Sequence, residues 1–357
     1  MNQAPLISIV IPVYNRGHLI EETVSGLLHQ TYDHWEAIFV DDQSTDNSVE
    51  IIQQLQVSSS KIKLFRRTNG IKGAPACRNI GLEKAAGEYL IFLDSDDILA
   101  PWCLRERVER FNEHPECDFL VFAGAFFERE IADAGHLWNR FDNRKDINRF
   151  LGYESVWQTS GPIWKTDFLR KNNLRFMETA LSFQDWEFHL HVLLKSENYI
   201  KINSLPDYFV RRDPDEIRIS KNINDPVKLN NRLSLLKHIT ETSHRITTTK
   251  EYREIFFKTV SREIINFQFK TQTPYYDLDW VMLLMKPDVK QRIIFTYVKT
   301  NNLLLRNMVL AKIGRKIFMK LLGSYIKGTF SARSRMSKEE KHLLEEKMSC
   351  FNYTYNE

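Results

Sequence analysis

Tyr89-Leu90-Ile91-Phe92-Leu93-Asp94-Ser95-Asp96-Asp97 carries more information than any other stretch of this chain. The apolar run after Gly87 reads as a buried strand, and three carboxylates follow where that strand gives way to a loop. In open α/β sheets, ligands bind at the carboxyl edge of the strands. Carboxylates set this close repel one another unless something positive joins them. An oxygen-rich group suits a hard divalent cation, and the cation in turn suits a phosphate. A D-x-D pair taken alone is equally compatible with a solvated acidic loop, so the neighbouring segments carry the decision.

Upstream, strand and helix alternate. Leu6-Ile7-Ser8-Ile9-Val10-Ile11 reads as a strand ended by Pro12, and Leu19, Ile20, Val24, Leu27 and Leu28 then recur at helical spacing. Glu36-Ala37-Ile38-Phe39-Val40 is a second strand, stopped by Asp41-Asp42; Thr45 or Asp46 can cap the helix that follows. Ile62-Lys63-Leu64-Phe65 is a third strand, and a helix over about 75–86 is expected to end at Gly87. This alternation predicts an α/β fold, a mostly parallel Rossmann-like sheet covered by helices. Polar groups then collect at the strands' carboxyl ends: Tyr14-Asn15-Arg16, Asp41-Asp42 and Asp94 to Asp97. Neither G-x-G-x-x-G after the first strand nor G-x-x-x-x-G-K-[ST] anywhere is present, so phosphates must be held by a metal and basic side chains.

Composition bounds the alternatives. A chain of 357 residues with 43% hydrophobic and 27% charged content can bury a full core, and a net charge of +4 gives no general argument for nucleic acid. Cys77, Cys103, Cys117 and Cys350 form no C-x-x-C pair and are too sparse for a disulfide framework or a zinc site. No secretory leader and no apolar run of roughly 20 residues is found, so a reducing cytoplasmic compartment is expected.

Four segments occur in order: Ile7-Ser8-Ile9-Val10-Ile11-Pro12-Val13-Tyr14-Asn15-Arg16, Val40-Asp41-Asp42-Gln43-Ser44-Thr45-Asp46, Gly73-Ala74-Pro75-Ala76-Cys77-Arg78-Asn79-Ile80-Gly81 and Asp94-Ser95-Asp96-Asp97. Together they resemble the family 2 glycosyltransferases of the GT-A fold, over roughly residues 5–220. The resemblance implies roles. Asp42 would hydrogen-bond the nucleotide base, in a pocket walled by Pro12 and Tyr14. Arg78 would approach the nucleotide or its phosphates, with a helix-surface ion pair as its rival role. Asp94 would hold the ribose, with Ser95 in the same nucleotide-sugar-binding set. Asp96 would coordinate Mn²⁺ or Mg²⁺ against the diphosphate, and Asp97 would cap a turn.

The acceptor hydroxyl needs a base, because its ordinary pKa lies far above neutral. Ser182-Phe183-Gln184-Asp185-Trp186-Glu187 stands where the resembled enzymes carry an acidic pair at a helix start. Gln184 departs from that pattern; Asp185 matches the acid that acts as base in inverting members, and the helix dipole would keep it ionised. Glu187 is the fallback, on a different face of the same helix. Trp138, Phe141, Tyr153, Trp157 and Trp164 suit either sugar stacking or plain core. In Tyr208-Phe209-Val210-Arg211-Arg212-Asp213 the resemblance implies a diphosphate clamp from Arg211 or Arg212, with Arg212 assigned to the donor site. Asp213 stands where a His is usual.

The domain reading is a catalytic unit over 1–224 (nucleotide-sugar half 1–100, acceptor half 101–224), a helical region over 225–330 and a loose polar tail over 331–357 containing one short helix. Between 286 and 335 basic residues outnumber Asp288, their one acidic opponent, and part of the segment is amphipathic. That suits peripheral contact with an anionic membrane surface, or equally a helix packed with its cations in water. The expected activity is transfer from a UDP-sugar to a glycan or lipid-linked glycan in bacterial surface polysaccharide synthesis, such as lipopolysaccharide or capsule. The rivals are a polyprenyl-phosphate sugar transferase of the same fold and a non-catalytic nucleotide-sugar-binding protein.

Overall fold

The computed structural model describes residues 4–68, 70–138, 141–212, 225–271, 279–285 and 333–351, with single positions at 277, 287, 292 and 296. Its first layer is a seven-stranded sheet. The N-terminal strands are β1 (Ile7–Val13), β2 (Trp35–Asp41), β3 (Ile62–Arg66) and β4 (Tyr89–Phe92). Helices α1 (Gly17–Leu28), α2 (Ser48–Ser58) and α3 (Ala74–Lys84) connect them in turn. β1 pairs in parallel with both β2 and β4, and β2 in parallel with β3. Both faces of β1, β2 and β4 are covered, which is why they read as largely apolar runs, whereas β3 at the sheet edge is only partly buried. Ile7, Ile9, Ile11 and Val13 enter one core, while Val10, Ile38, Val40, Leu90 and Phe92 enter the other.

Two local expectations are corrected. β1 does not stop at Pro12 but runs to Val13, with Pro12 opposite Val40. The last β1–β4 bond is Leu93 N–H to Val10 O, 3.0 Å. Pro12, two residues on, turns its missing N–H to the side β4 has already left, so the sheet loses no bond. Helix α3 ends at Lys84 with Ala85 as its cap, and Gly87 lies beyond it. Gly87 is required by proximity instead: a Cβ there would stand 2.6 Å from the backbone nitrogen of Ser8.

The chain continues through β5 (Ile98–Leu99), α4 (Cys103–Glu113), β6 (Phe119–Val121), β7 (Gly124–Phe127), β8 (His136–Trp138) and α5 (Asp146–Leu151). Then come β9 (Pro162–Lys165), α6 (Thr166–Lys171), α7 (Gln184–Lys195), β10 (Tyr199–Lys201) and β11 (Tyr208–Arg211). The large sheet has the order β10-β6-β9-β4-β1-β2-β3, with β9 antiparallel to β4 and β6. A five-stranded sheet, ordered β12-β8-β7-β11-β5, closes over the carboxyl end of β4, its outer strand β12 being Arg333–Arg335. Trp157 and Trp164 are fully buried and Tyr153 nearly so, so these aromatics are core.

Helices α8 (Pro226–Thr242), α9 (His244–Thr248), α10 (Lys250–Thr271) and α11 (Asp279–Met285) share one apolar core with α5 and α7. Asp225 caps α8, accepting from the backbone of Val227 at 2.8 Å. The tail expected to hang loose is docked over residues 333–351. β12 pairs antiparallel with β8, and the helix Lys338–Ser349 buries Leu344 and sets Lys347 Nζ 2.5 Å from Glu106. Of the basic residues between 286 and 335, Arg333 and Arg335 fall in β12 and Arg292 donates to the carbonyl of Pro287. The remainder of that stretch lies outside the described residues.

Candidate active site

Three loops meet at the carboxyl ends of β1, β2 and β4, and side chains lock them together. Asn15, in the left-handed region at φ 51°, accepts from the backbone of Thr45 at 2.8 Å. Asp46 receives Gly17 N–H and Ser48 N–H, each at 3.0 Å, and so serves the first residue of α1 and of α2 at once. Burial opposes ionisation, but the Ser48 hydroxyl, which also donates to it, and then these backbone bonds outweigh that and hold its carboxyl below the usual range. The two adjacent acids after β2 separate in role. Asp41 accepts from the backbone of Gln43 and Ser44, closing the turn, whereas Asp42 is buried against the guanidinium of Arg67. Tyr14 is exposed and carries Lys72 Nζ 3.7 Å from its ring centre; Pro12 is buried at the end of β1.

At the end of β4 the carboxylates divide by depth. Asp97 is buried, where Gln158 Nε2 lies 3.2 Å and the Arg211 backbone N–H 3.3 Å from its oxygens. Burial, then the charges of Asp96 and Asp94, push its carboxyl well above the ordinary range. It therefore ties β4, β11 and the loop before β9 together, a larger part than capping a turn. Asp96 is 24% exposed, with Arg16 Nη2 at 3.9 Å. Ser95 is buried, its carbonyl accepting from Thr23 Oγ1 at 3.0 Å. Asp94, 29% exposed, accepts from Arg78 Nη2 at 2.5 Å and from Gln158 at 3.3 Å.

Arg78 links this loop to the other half of the crevice. Its side chain is 4% exposed, its guanidinium stacks 5.0 Å from the Phe176 ring, and Nη1 reaches Gln184 Oε1 at 3.3 Å and Asp185 Oδ1 at 3.9 Å. Burial opposes its charge, but Asp94 and Asp185 outweigh that and raise its pKa. Asp185 is the second residue of α7 and 36% exposed. Glu187 is not a usable alternative: it is 1% exposed and lies 2.7 Å from His191, on the face of α7 turned to the core.

Of the two arginines after Phe209, Arg211 belongs to this loop. Its Nε donates to the carbonyl of Asp96 at 3.3 Å, and its Nη2 pairs with Glu22. The guanidinium of Arg212, assigned from sequence, lies instead over the ring of Phe126 at 4.0 Å. Sequence reasoning also missed Arg67 and Gln158. Arg67 had a signal, standing just past β3 as Asp42 stands just past β2; Gln158 lies in a loop with none. A cavity of about 250 Å³, lined by Lys145, Glu197, Tyr199 and Lys201 among others, shares no residue with the crevice.

Residues 8–163 match the model of the family described as Glycosyl transferase family 2. They form a family 2 glycosyltransferase domain. An uncharacterized glycosyltransferase of Haemophilus influenzae is 47% identical to the chain over 96 residues, 27% of this chain and 38% of that one. The poly(ribitol-phosphate) beta-glucosyltransferase of Bacillus spizizenii is 31% identical over 221 residues, 60% of this chain. The chain thus spans little more than a third of either relative, 38% and 34%. Among solved structures, S. aureus TarS 1-349 in complex with UDP-GlcNAc superposes with a TM-score of 0.58 at 17% identity, covering 87% of this chain and 91% of that one. The domain has the GT-A fold, a mixed α/β architecture with a sheet that is mainly parallel on the nucleotide side.

Proposed function

We propose that this glycosyltransferase domain moves a sugar from a UDP-sugar to a hydroxyl of a glycan or lipid-linked glycan, with inversion, in bacterial surface polysaccharide synthesis such as lipopolysaccharide or capsule. The observation that carries this reading is the meeting of the carboxylates after β4 with Asp185 at the start of α7, across the buried guanidinium of Arg78. A donor lying along the strand ends has Pro12, Tyr14 and Asp42 at its base and Asp94 and Ser95 along its ribose and phosphates, while the buried Arg78 stands behind Asp94. Arg211, beside the carbonyl of Asp96, is better placed than Arg212 to meet the diphosphate. Asp185 takes the proton of the attacking hydroxyl. The names of the relatives favour a polymer acceptor, and the UDP-GlcNAc held by the structural neighbour favours UDP.

A divalent cation fits the donor set. Among the described residues no three His, Cys, Asp or Glu side chains converge to enclose a metal. An ion that keeps its waters and binds through one or two carboxylates plus substrate phosphates needs no such cage, and Asp96 is partly exposed for that purpose. When bound, Mn²⁺ or Mg²⁺ would stabilise charge on the departing diphosphate. The test is a donor screen with Mn²⁺ that follows release of nucleoside diphosphate, repeated with Asp96→Asn and with EDTA. Release is expected with a UDP-sugar and abolished by either treatment. No release with any donor would overturn the transferase reading; turnover indifferent to both would overturn the metal.

No described helix is long and apolar enough to cross a membrane. We place the enzyme on the cytoplasmic side, with the basic segment from Lys286 to Lys327 meeting an anionic leaflet. Each cation at such a surface contributes about 1 kcal/mol, screened by salt. Sedimentation with anionic vesicles at low salt and release at high salt are expected; indifference to the vesicles at both would remove the membrane from the proposal.

A further inference from the structure

Arg78 differs from an ordinary nucleotide ligand in what it already holds. A side chain 4% exposed offers little surface to a substrate, and its two terminal nitrogens are directed to Asp94, Gln184 and Asp185. Asp94 belongs to the loop after β4 and Asp185 to the first turn of α7, so these carboxylates have no backbone connection shorter than the acceptor half of the domain. One planar guanidinium spans both, which an ammonium on a flexible stem does not. Gln184 is the third partner: its neutral oxygen accepts from Nη1 without adding a third negative charge around a single cation.

The site is also braced from behind. Asn79, the next residue of α3, donates to the carbonyl of Phe176 at 2.9 Å and accepts the Phe176 backbone N–H at 2.9 Å. Phe176 in turn stacks on Phe188 of α7, ring centres 4.0 Å apart. Helix α3 thus grips the base helix through two neighbouring residues, one by packing and one by charge.

We propose that Arg78 is a positioning residue that fixes the Asp185 carboxylate relative to Asp94, holding the donor loop and the base helix as one unit. The inference rests on the transferase reading and deepens it. A base displaced by about 1 Å loses roughly a hundredfold in rate, so Arg78 acts on turnover through Asp185 while leaving the nucleotide's own contacts in place.

The test is a cycle of Arg78→Lys, Asp185→Asn and the double variant, with kcat from nucleoside diphosphate release, UDP affinity from calorimetry and melting temperature. Arg78→Lys should lower kcat by roughly tenfold or more, with UDP affinity changed by less than about threefold. The double variant should be no slower than Asp185→Asn alone, since a residue acting through the base has nothing left to act on. Gln184→Leu provides a second arm should Arg78→Lys not fold. It releases one Nη1 contact without removing charge, and a several-fold loss of kcat at unchanged UDP affinity is expected. A loss of UDP affinity matching the loss of rate would make Arg78 a donor ligand and overturn the proposal, as would multiplying penalties in the double variant. Gln184→Leu with unchanged kcat, when Arg78→Lys cannot fold, would overturn it too. Native protein inactive with every nucleotide sugar would overturn the transferase reading first, so the two failures are told apart.

Discussion

Arg78 and Arg107 are both buried arginines joining distant segments, but their surroundings differ in kind. Arg107 is 0% exposed and makes a two-pronged pair with Asp207, at 2.7 and 2.8 Å, while both terminal nitrogens also donate to the carbonyl of Ser160 at 3.1 Å. Every nitrogen has a partner and both charges are sealed from water. Arg78 serves two carboxylates that are each about a third exposed, and its buried Nε has no hydrogen-bond partner among the described residues. A closed pair fixes geometry and nothing more. An open one leaves carboxylate oxygens facing solvent, where a substrate can reach them.

The largest effect expected falls on the open side. Asp185→Asn should cost roughly 10²–10⁴-fold in kcat, the usual contribution of a general base, with UDP affinity unchanged. Calorimetry beside a transfer assay separates the two. Collapse of UDP binding in this variant would make Asp185 a donor ligand and dissolve the contrast drawn above.

On the closed side the expected loss is stability. Asp207→Asn strands a guanidinium in the core and should cost about 3–5 kcal/mol of unfolding free energy, measured by urea titration. Asp94→Asn, at a site where Arg78 keeps Asp185 and water reaches the carboxylate, should cost visibly less. Equal losses for the two variants would show that exposure does not distinguish them.

Much of this was legible in the sequence, for a physical reason. β1, β2 and β4 are covered on both faces, so burial writes itself as continuous apolar runs, and the acids beyond them mark the strand ends. The partners of those acids were not legible. Arg67, whose place just past β3 marks it as a strand-end residue, meets Asp42 from 25 residues away, and Gln158 meets Asp97 from 61; the local sequence does not name either partner. Choosing between Arg211 and Arg212 required knowing which side of β11 faces the D-x-D loop, and two adjacent arginines give the same answer for either side. Arg333-Ser334-Arg335 carries no apolar signature at all, because β12 joins the sheet through its backbone at an edge.

A smaller effect tests how well the aromatic core beside the base helix excludes water. His189, on α7, is buried among Phe150, Trp157, Trp164 and Phe188, with no hydrogen-bond partner at either ring nitrogen among the described residues. Burial first, then the positive charge of Arg78, lower its pKa to about 3. An unfolded chain takes up a proton near pH 6.5 that the folded one refuses. This contribution to stability is therefore intact above pH 6.5 and declines as the pH falls towards about 3, by up to about 1.4 kcal/mol per pH unit. His189→Phe removes the group while keeping an aromatic ring in the cage. Urea unfolding at pH 7 and at pH 5 should show a smaller acid-side loss in the variant than in the native chain, whatever the substitution does to stability at pH 7. Subtracting the two profiles cancels the other titrating groups. Identical profiles would mean that His189 is charged in the folded state as readily as in water, and the cage around α7 would then have to be open enough to hydrate it.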